Sequence, residues 1–119
     1  MSKTYSTDEE GNVVAIHDWY FKKWVPVSHV EFGAKANTAT GLSTMCKEAT
    51  RLWTKQQRDA QKATEELIPM LKSGEISIEE LPELEAEIQR KRVEILPSEQ
   101  SEYMFDTEEE CLAFIAEQS

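Results

Sequence analysis

The sequence predicts an α+β fold. It combines a small antiparallel sheet (an N-terminal three-stranded meander plus a late strand) with a long helix, a helical hairpin and a C-terminal helix. Three observations predict it. β-Branched and aromatic residues fill the first 30 positions in short runs broken by turn residues. From Ala39 to Leu67, the residues Leu42, Cys46, Ala49, Trp53, Gln56, Ala60, Ala63 and Leu67 recur at alternating spacings of four and three, a period near 3.5 that keeps one stripe along a helix. Thr107-Glu108-Glu109-Glu110 has the capping-box pattern directly ahead of Leu112 and Ile115. With 119 residues, 39% of them hydrophobic, the chain has material for one modest core and is read as a single domain, residues 1–119. Its parts are a β-meander over 1–30, a helical hairpin over 39–95, and a strand with a C-terminal helix over 102–118.

Taken in order, Thr4 to Thr7 is the first strand, and Asp8-Glu9-Glu10-Gly11-Asn12 supplies a turn before Val13, Val14 and Ile16. Asp18 to Phe21 and Trp24 to Val27 continue the meander around a tight turn at Lys22-Lys23. Pro26 cannot donate to a ladder, which puts its strand at an edge and makes Trp24 the most exposed of the three tryptophans. Thr38 or Thr40 is expected to cap the long helix. Pro69 should end or kink it at about Leu67. Ser73-Gly74 then turns the chain, Ser77 to Glu80 forms one capped turn, and a second helix starts at Pro82, where a missing N–H costs nothing. That helix carries Glu83, Glu85 and Glu87 early and Arg90, Lys91 and Arg92 late, as the helix dipole favours. Leu81, Leu84 and Ile88, with Ile95 as a further candidate, give it a narrow stripe that folds back on Ala60, Ala63 and Leu67. The helix-pairing residues are therefore Trp53, Gln56, Ala60, Ala63, Leu67, Leu84 and Ile88. Tyr103, Met104 and Phe105 make the late strand.

Catalytic equipment is missing from the pattern. Histidine occurs only as His17 and His29, and neither is placed beside Cys46 or Cys111 as a nucleophile's base must be. His17, Asp18, His29 and Glu31 match no ligand spacing, and the glycines at 11, 33, 41 and 74 form no phosphate-cradling loop. No enzyme activity, metal or cofactor is expected. Neither a signal peptide nor an apolar run long enough to span a membrane is read from the chain, so the expected location is cytoplasmic.

The charge layout is the informative feature. The chain has 23 acidic against 13 basic residues, a formal charge of −10. From Ser98 onward it holds seven acids and no base. Glu99, Glu102, Asp106, Glu108, Glu109 and Glu117 form the expected partner-binding set around one strand-to-helix corner. Lys47, Arg51, Lys55, Arg58 and Lys62 make a basic helix stripe, but the net charge opposes direct nucleic-acid binding. The expected function is a non-catalytic protein-binding protein, an acidic inhibitor that occupies a basic, nucleic-acid-binding site on a partner. In size, charge and lack of catalytic groups it resembles the small acidic inhibitors that phages encode against host defence enzymes. The alternatives are an assembly protein that oligomerises through its long helix and a nucleic-acid binder using the basic stripe; the chain is expected to be a monomer or a homodimer.

Overall fold

The computed structural model describes residues 3–118, which fall into two compact units, one of residues up to Thr50 together with those from Leu96 onward, the other Arg51–Ile95. The first unit is built on β1 (Tyr5–Thr7), β2 (Val13–Asp18) and β3 (Lys23–Pro26), an antiparallel meander in the order β1-β2-β3. Tyr5 faces Ile16, and Ile16 faces Val25 on the other side. Asp8 sets the first turn by accepting from the N–H groups of Glu10 (3.0 Å) and Asn12 (2.8 Å), with Gly11 at φ 87° where a side chain would be strained. The second turn covers residues 19–22 rather than Lys22-Lys23, and Lys22 takes the left-handed conformation at φ 59°. The late strand shrinks to one bridge. Phe105 exchanges two backbone hydrogen bonds with Trp24, at 2.7 and 2.9 Å, on the edge of β3. The capped C-terminal helix (Glu108–Gln118), labelled α3 below, packs against β2 and β3, and Cys111 closes a core with Ala15 and Trp24 against which Phe105 and Ile115 lie.

Trp24 is therefore core, at 8% exposure, and Trp19 is the outlying tryptophan at 48%, with the Lys22 ammonium 4.6 Å from its ring centre. The expected order is reversed because the bridge to Phe105 and the helix behind it cover the edge that Pro26 marks.

The segment read as the start of the long helix is instead a strand. β4 (Phe32–Ala34) pairs with β5 (Leu42–Cys46) in a second antiparallel sheet. Thr38 and Thr40 do not cap a helix. Their hydroxyls donate to the Leu42 carbonyl at 2.7 and 3.1 Å and fix the β4–β5 loop. The cause lies far away in sequence. The carboxylate of Asp18, with no exposure, accepts from the N–H groups of Tyr20 (2.9 Å), Phe21 (3.0 Å) and Cys46 (2.7 Å), and Trp19 N–H donates to Thr44 O at 2.9 Å. These bonds hold β5 extended and start α1 (Lys47–Ser73) at the next residue, with the Cys46 sulfur accepting from Ala49 N–H at 3.4 Å as its cap.

Of α1, the first turn belongs to the first unit and the rest to the second. The helix does not stop at Pro69 but runs four residues further, losing one N–H bond. Its end is set by Gly74 at φ 86°. The N–H of Glu75 reaches Met70 O (3.0 Å) and that of Gly74 reaches Leu71 O (3.3 Å), the paired bonds of a Schellman termination, with Ile76 buried behind them. Ser77 and Glu80 close the single turn expected of them, Ser77 N–H and hydroxyl both reaching the Glu80 carboxylate at 3.1 Å. α2 (Leu81–Arg92) follows, with Pro82 in its first turn. Its C-terminal carbonyls, which no helical N–H can reach, are taken up by α1 side chains. Gln56 Nε2 donates to Lys91 O (3.0 Å) and Glu94 O (2.7 Å), and Gln57 exchanges two bonds with Arg92 (3.1 and 3.0 Å). These ties pair the end of α2 with the middle of α1, so the hairpin is antiparallel.

Candidate protein-binding surfaces

The acidic corner belongs to the first unit and is fixed at several points. Glu48 holds its start, accepting from Glu99 N–H at 3.0 Å and from the Ser98 hydroxyl, while Leu96 N–H donates to the Tyr20 hydroxyl at 3.1 Å. A 3-10 turn at Ser101–Tyr103 and the Phe105 bridge carry the chain along the sheet edge. Thr107 and Glu110 then form the capping box, with Glu110 N–H donating to Thr107 Oγ1 at 3.2 Å and that hydroxyl donating back to the Glu110 carboxylate at 2.9 Å.

The six predicted partner-binding acids divide in two. Asp106 has a local partner, because the Lys23 ammonium donates to it. Glu108 is also engaged. It accepts from the Ser6 hydroxyl and pairs with Lys3 at 2.9 Å, and these contacts, the Ser6 hydrogen bond foremost, hold its carboxyl below the usual range. Glu99, Glu102, Glu109 and Glu117 are exposed, and among the described residues no side-chain hydrogen bond or ion pair engages their carboxylates. Those four charges are available to a partner.

Sequence reading missed an aromatic group in the same unit. His29 lies 5.1 Å from Tyr103 and 5.0 Å from Phe114, ring centre to ring centre, and Phe114 lies 5.8 Å from Tyr103 and 5.3 Å from Phe105. All four are half-buried. Tyr103 follows Glu102, and Phe114 is one turn from both Glu110 and Glu117, so acids border the rings on two sides. The periodicity of Phe114 with Cys111 was a usable signal for the helix part; the convergence of His29 on it was not, since nothing local joins positions 29 and 114.

The helix-pairing set is only partly buried. Gln56, Ala60 and Leu67 are buried, Trp53, Ala63, Leu84 and Ile88 are half-buried, and α2 contains no buried residue. Polar ties from Gln56 and Gln57 to the Lys91, Glu94 and Arg92 carbonyls add to these apolar positions. Of the basic stripe, Lys47 pairs with Glu31 at 2.8 Å and Lys55 with Asp59 at 2.9 Å.

The remaining chemistry-bearing residues are spent on structure. His17 packs edge-on against Trp24 at 5.5 Å, Asp18 binds backbone amides, and Glu31 pairs with Lys47, so they do not converge with His29 on a metal site. Cys46 and Cys111 are buried and not bonded to one another; burial pushes their thiols up to about 12 and about 11, away from thiolate chemistry. Among the described residues no helix is long and apolar enough to cross a membrane. No family model matches the chain, and no curated protein or solved structure matches it either.

Proposed function

We propose that this chain is a non-catalytic, cytoplasmic protein-binding protein whose acidic corner occupies a basic, nucleic-acid-binding site on a partner protein, as phage anti-defence inhibitors do. The observation that carries this reading is the set of four exposed carboxylates, Glu99, Glu102, Glu109 and Glu117, left unneutralised on a frame that already satisfies its own structural needs with Asp106, Glu108 and Glu110. An acidic surface of this kind steers encounter with a basic partner and fixes orientation. Half-buried rings of Tyr103 and Phe114 beside it supply the aromatic contact area that interfaces favour.

The test is capture of the partner by the full chain from its native host, with identification by mass spectrometry, followed by binding measurements against salt. The association rate should fall steeply as salt rises, and nucleic acid should compete. Changing Glu99, Glu102, Glu109 and Glu117 together to Lys should weaken binding at least tenfold while the fold persists, since exposed substitutions shift stability by under about 0.5 kcal/mol each. Full affinity in that variant would refute the reading.

A further inference from the structure

α2 is a helix of 12 residues with no buried side chain, and a helix that short is marginal in water without packing. Its inward stripe, Leu81, Leu84 and Ile88, is half-buried. Its outward stripe is Glu83, Ala86, Arg90 and Val93 at spacings of three, four and three, and every one of them is exposed, Val93 at 53%. That stripe is acidic toward one end and basic toward the other, with alanine between. Just beyond the two ends stand two further exposed apolar residues, Ile78 at 68% and Ile95 at 50%.

We infer that the outward face of α2 binds the same face of a second copy of this chain, antiparallel, about a two-fold axis between Ala86 and Glu87. That register sets Glu83 opposite Arg90 of the other copy, twice over. Ala86 lies at the crossing, where a small side chain lets the backbones approach. A parallel arrangement would oppose like charges, acid on acid and base on base. The charges of α2 are only lightly used within the chain: Arg90 keeps a 3.9 Å contact with Glu87, at the outer limit of an ion pair, and Lys91 one of 3.4 Å. Arg92 is committed to Gln57 and Gln89 and stays out of the contact. The interface is isologous and closes at two copies.

Sedimentation of the full chain at high micromolar concentration should give twice the chain mass. Glu83→Arg opposes Arg to Arg across the axis, and Arg90→Glu opposes Glu to Glu, so each single variant should weaken the dimer at least tenfold with an unchanged circular dichroism spectrum. The double exchange E83R/R90E restores the pairing and should restore the dimer. An equimolar mixture of the two single variants should form a heterodimer, because each supplies the charge the other needs. A wild-type monomer at millimolar concentration would overturn the inference. So would single variants that dimerise as the wild type does, or a double exchange that fails to rescue.

Discussion

Each of the two units has a different kind of interior. In the first, Ala15, Val25, Cys46, Ala49 and Cys111 have no exposure, and a carboxylate, Asp18, is buried with them and saturated by three backbone amides. In the second, the buried residues are Gln56, Ala60, Leu67 and Ile76, and the second helix of the hairpin is tied on by glutamine amides that take up its terminal carbonyls. Burial of apolar groups resists water; exposed or half-buried hydrogen bonds compete with it. The first unit is therefore the stiff frame, suited to presenting a fixed charged surface, and the hairpin is the part that opens at low cost. That contrast underlies both proposals, recognition through the acidic corner and self-association through the outer face of α2.

The largest effect should come from the hub of the first unit. Asp18→Ala leaves three N–H groups buried without an acceptor, whereas Asp18→Asn can keep its oxygen on Tyr20 and Phe21 and turns an amide N–H₂ toward Cys46 N–H alone. Each orphaned donor costs about 1–3 kcal/mol, so a loss above about 4 kcal/mol is expected for the alanine variant and a smaller one for the asparagine variant, against the 5–15 kcal/mol typical of a domain. Urea unfolding followed by tryptophan fluorescence measures it. A midpoint within error of wild type would remove Asp18 from its place at the centre of the frame.

A smaller and local loss should follow in the hairpin. Gln56→Ala together with Gln57→Ala removes the partners of the Lys91, Glu94 and Arg92 carbonyls, worth about 2 kcal/mol in sum, and, in a Trp53→Phe background where only the first unit's tryptophans report, should lower the helical signal of α2 without moving the fluorescence transition. Coincident loss of both signals would show that the two units unfold as one.

The smallest effect is a slope with pH. Glu108 titrates below its unfolded value of 4.5 because Ser6 and Lys3 bind its charged form. A depressed carboxyl adds stability that is fully present above about pH 4.5 and is lost as pH falls from there through the folded value. Glu108→Gln should flatten the stability profile in that acid window and leave the profile above pH 6 parallel to wild type. An unchanged acid slope would place the linkage elsewhere.

Much of this was legible because the signals are local. Asp8-Glu9-Glu10-Gly11-Asn12 made its turn, Thr107-Glu108-Glu109-Glu110 made its box, and Ser77 to Glu80 made its single turn before a helix with Pro82 in the first turn. The failures all trace to partners distant in sequence. Leu42 and Cys46 fit a helical stripe by spacing, yet Asp18, 28 residues before Cys46, holds that segment as a strand. Trp24 looked like an edge residue until Phe105 bridged it. Pro69 looked like a stop, whereas the helix stops where Gly74 can adopt a positive φ. The acidic composition of the candidate surface was plain in the sequence, but not its division into carboxylates with structural partners and carboxylates without them, since Lys23 meets Asp106 and Lys3 meets Glu108 only through the fold.

Native-state hydrogen exchange at low micromolar concentration, where pairing of α2 between copies is dilute, tests the contrast most directly. The amides of Tyr20, Phe21, Trp24 and Cys46, which donate to Asp18 or Phe105, should exchange only through global unfolding. The amides of α2 should exchange at least about 30-fold faster, an opening free energy lower by about 2 kcal/mol. Equal protection in α2 and in the Asp18 hub would contradict the account.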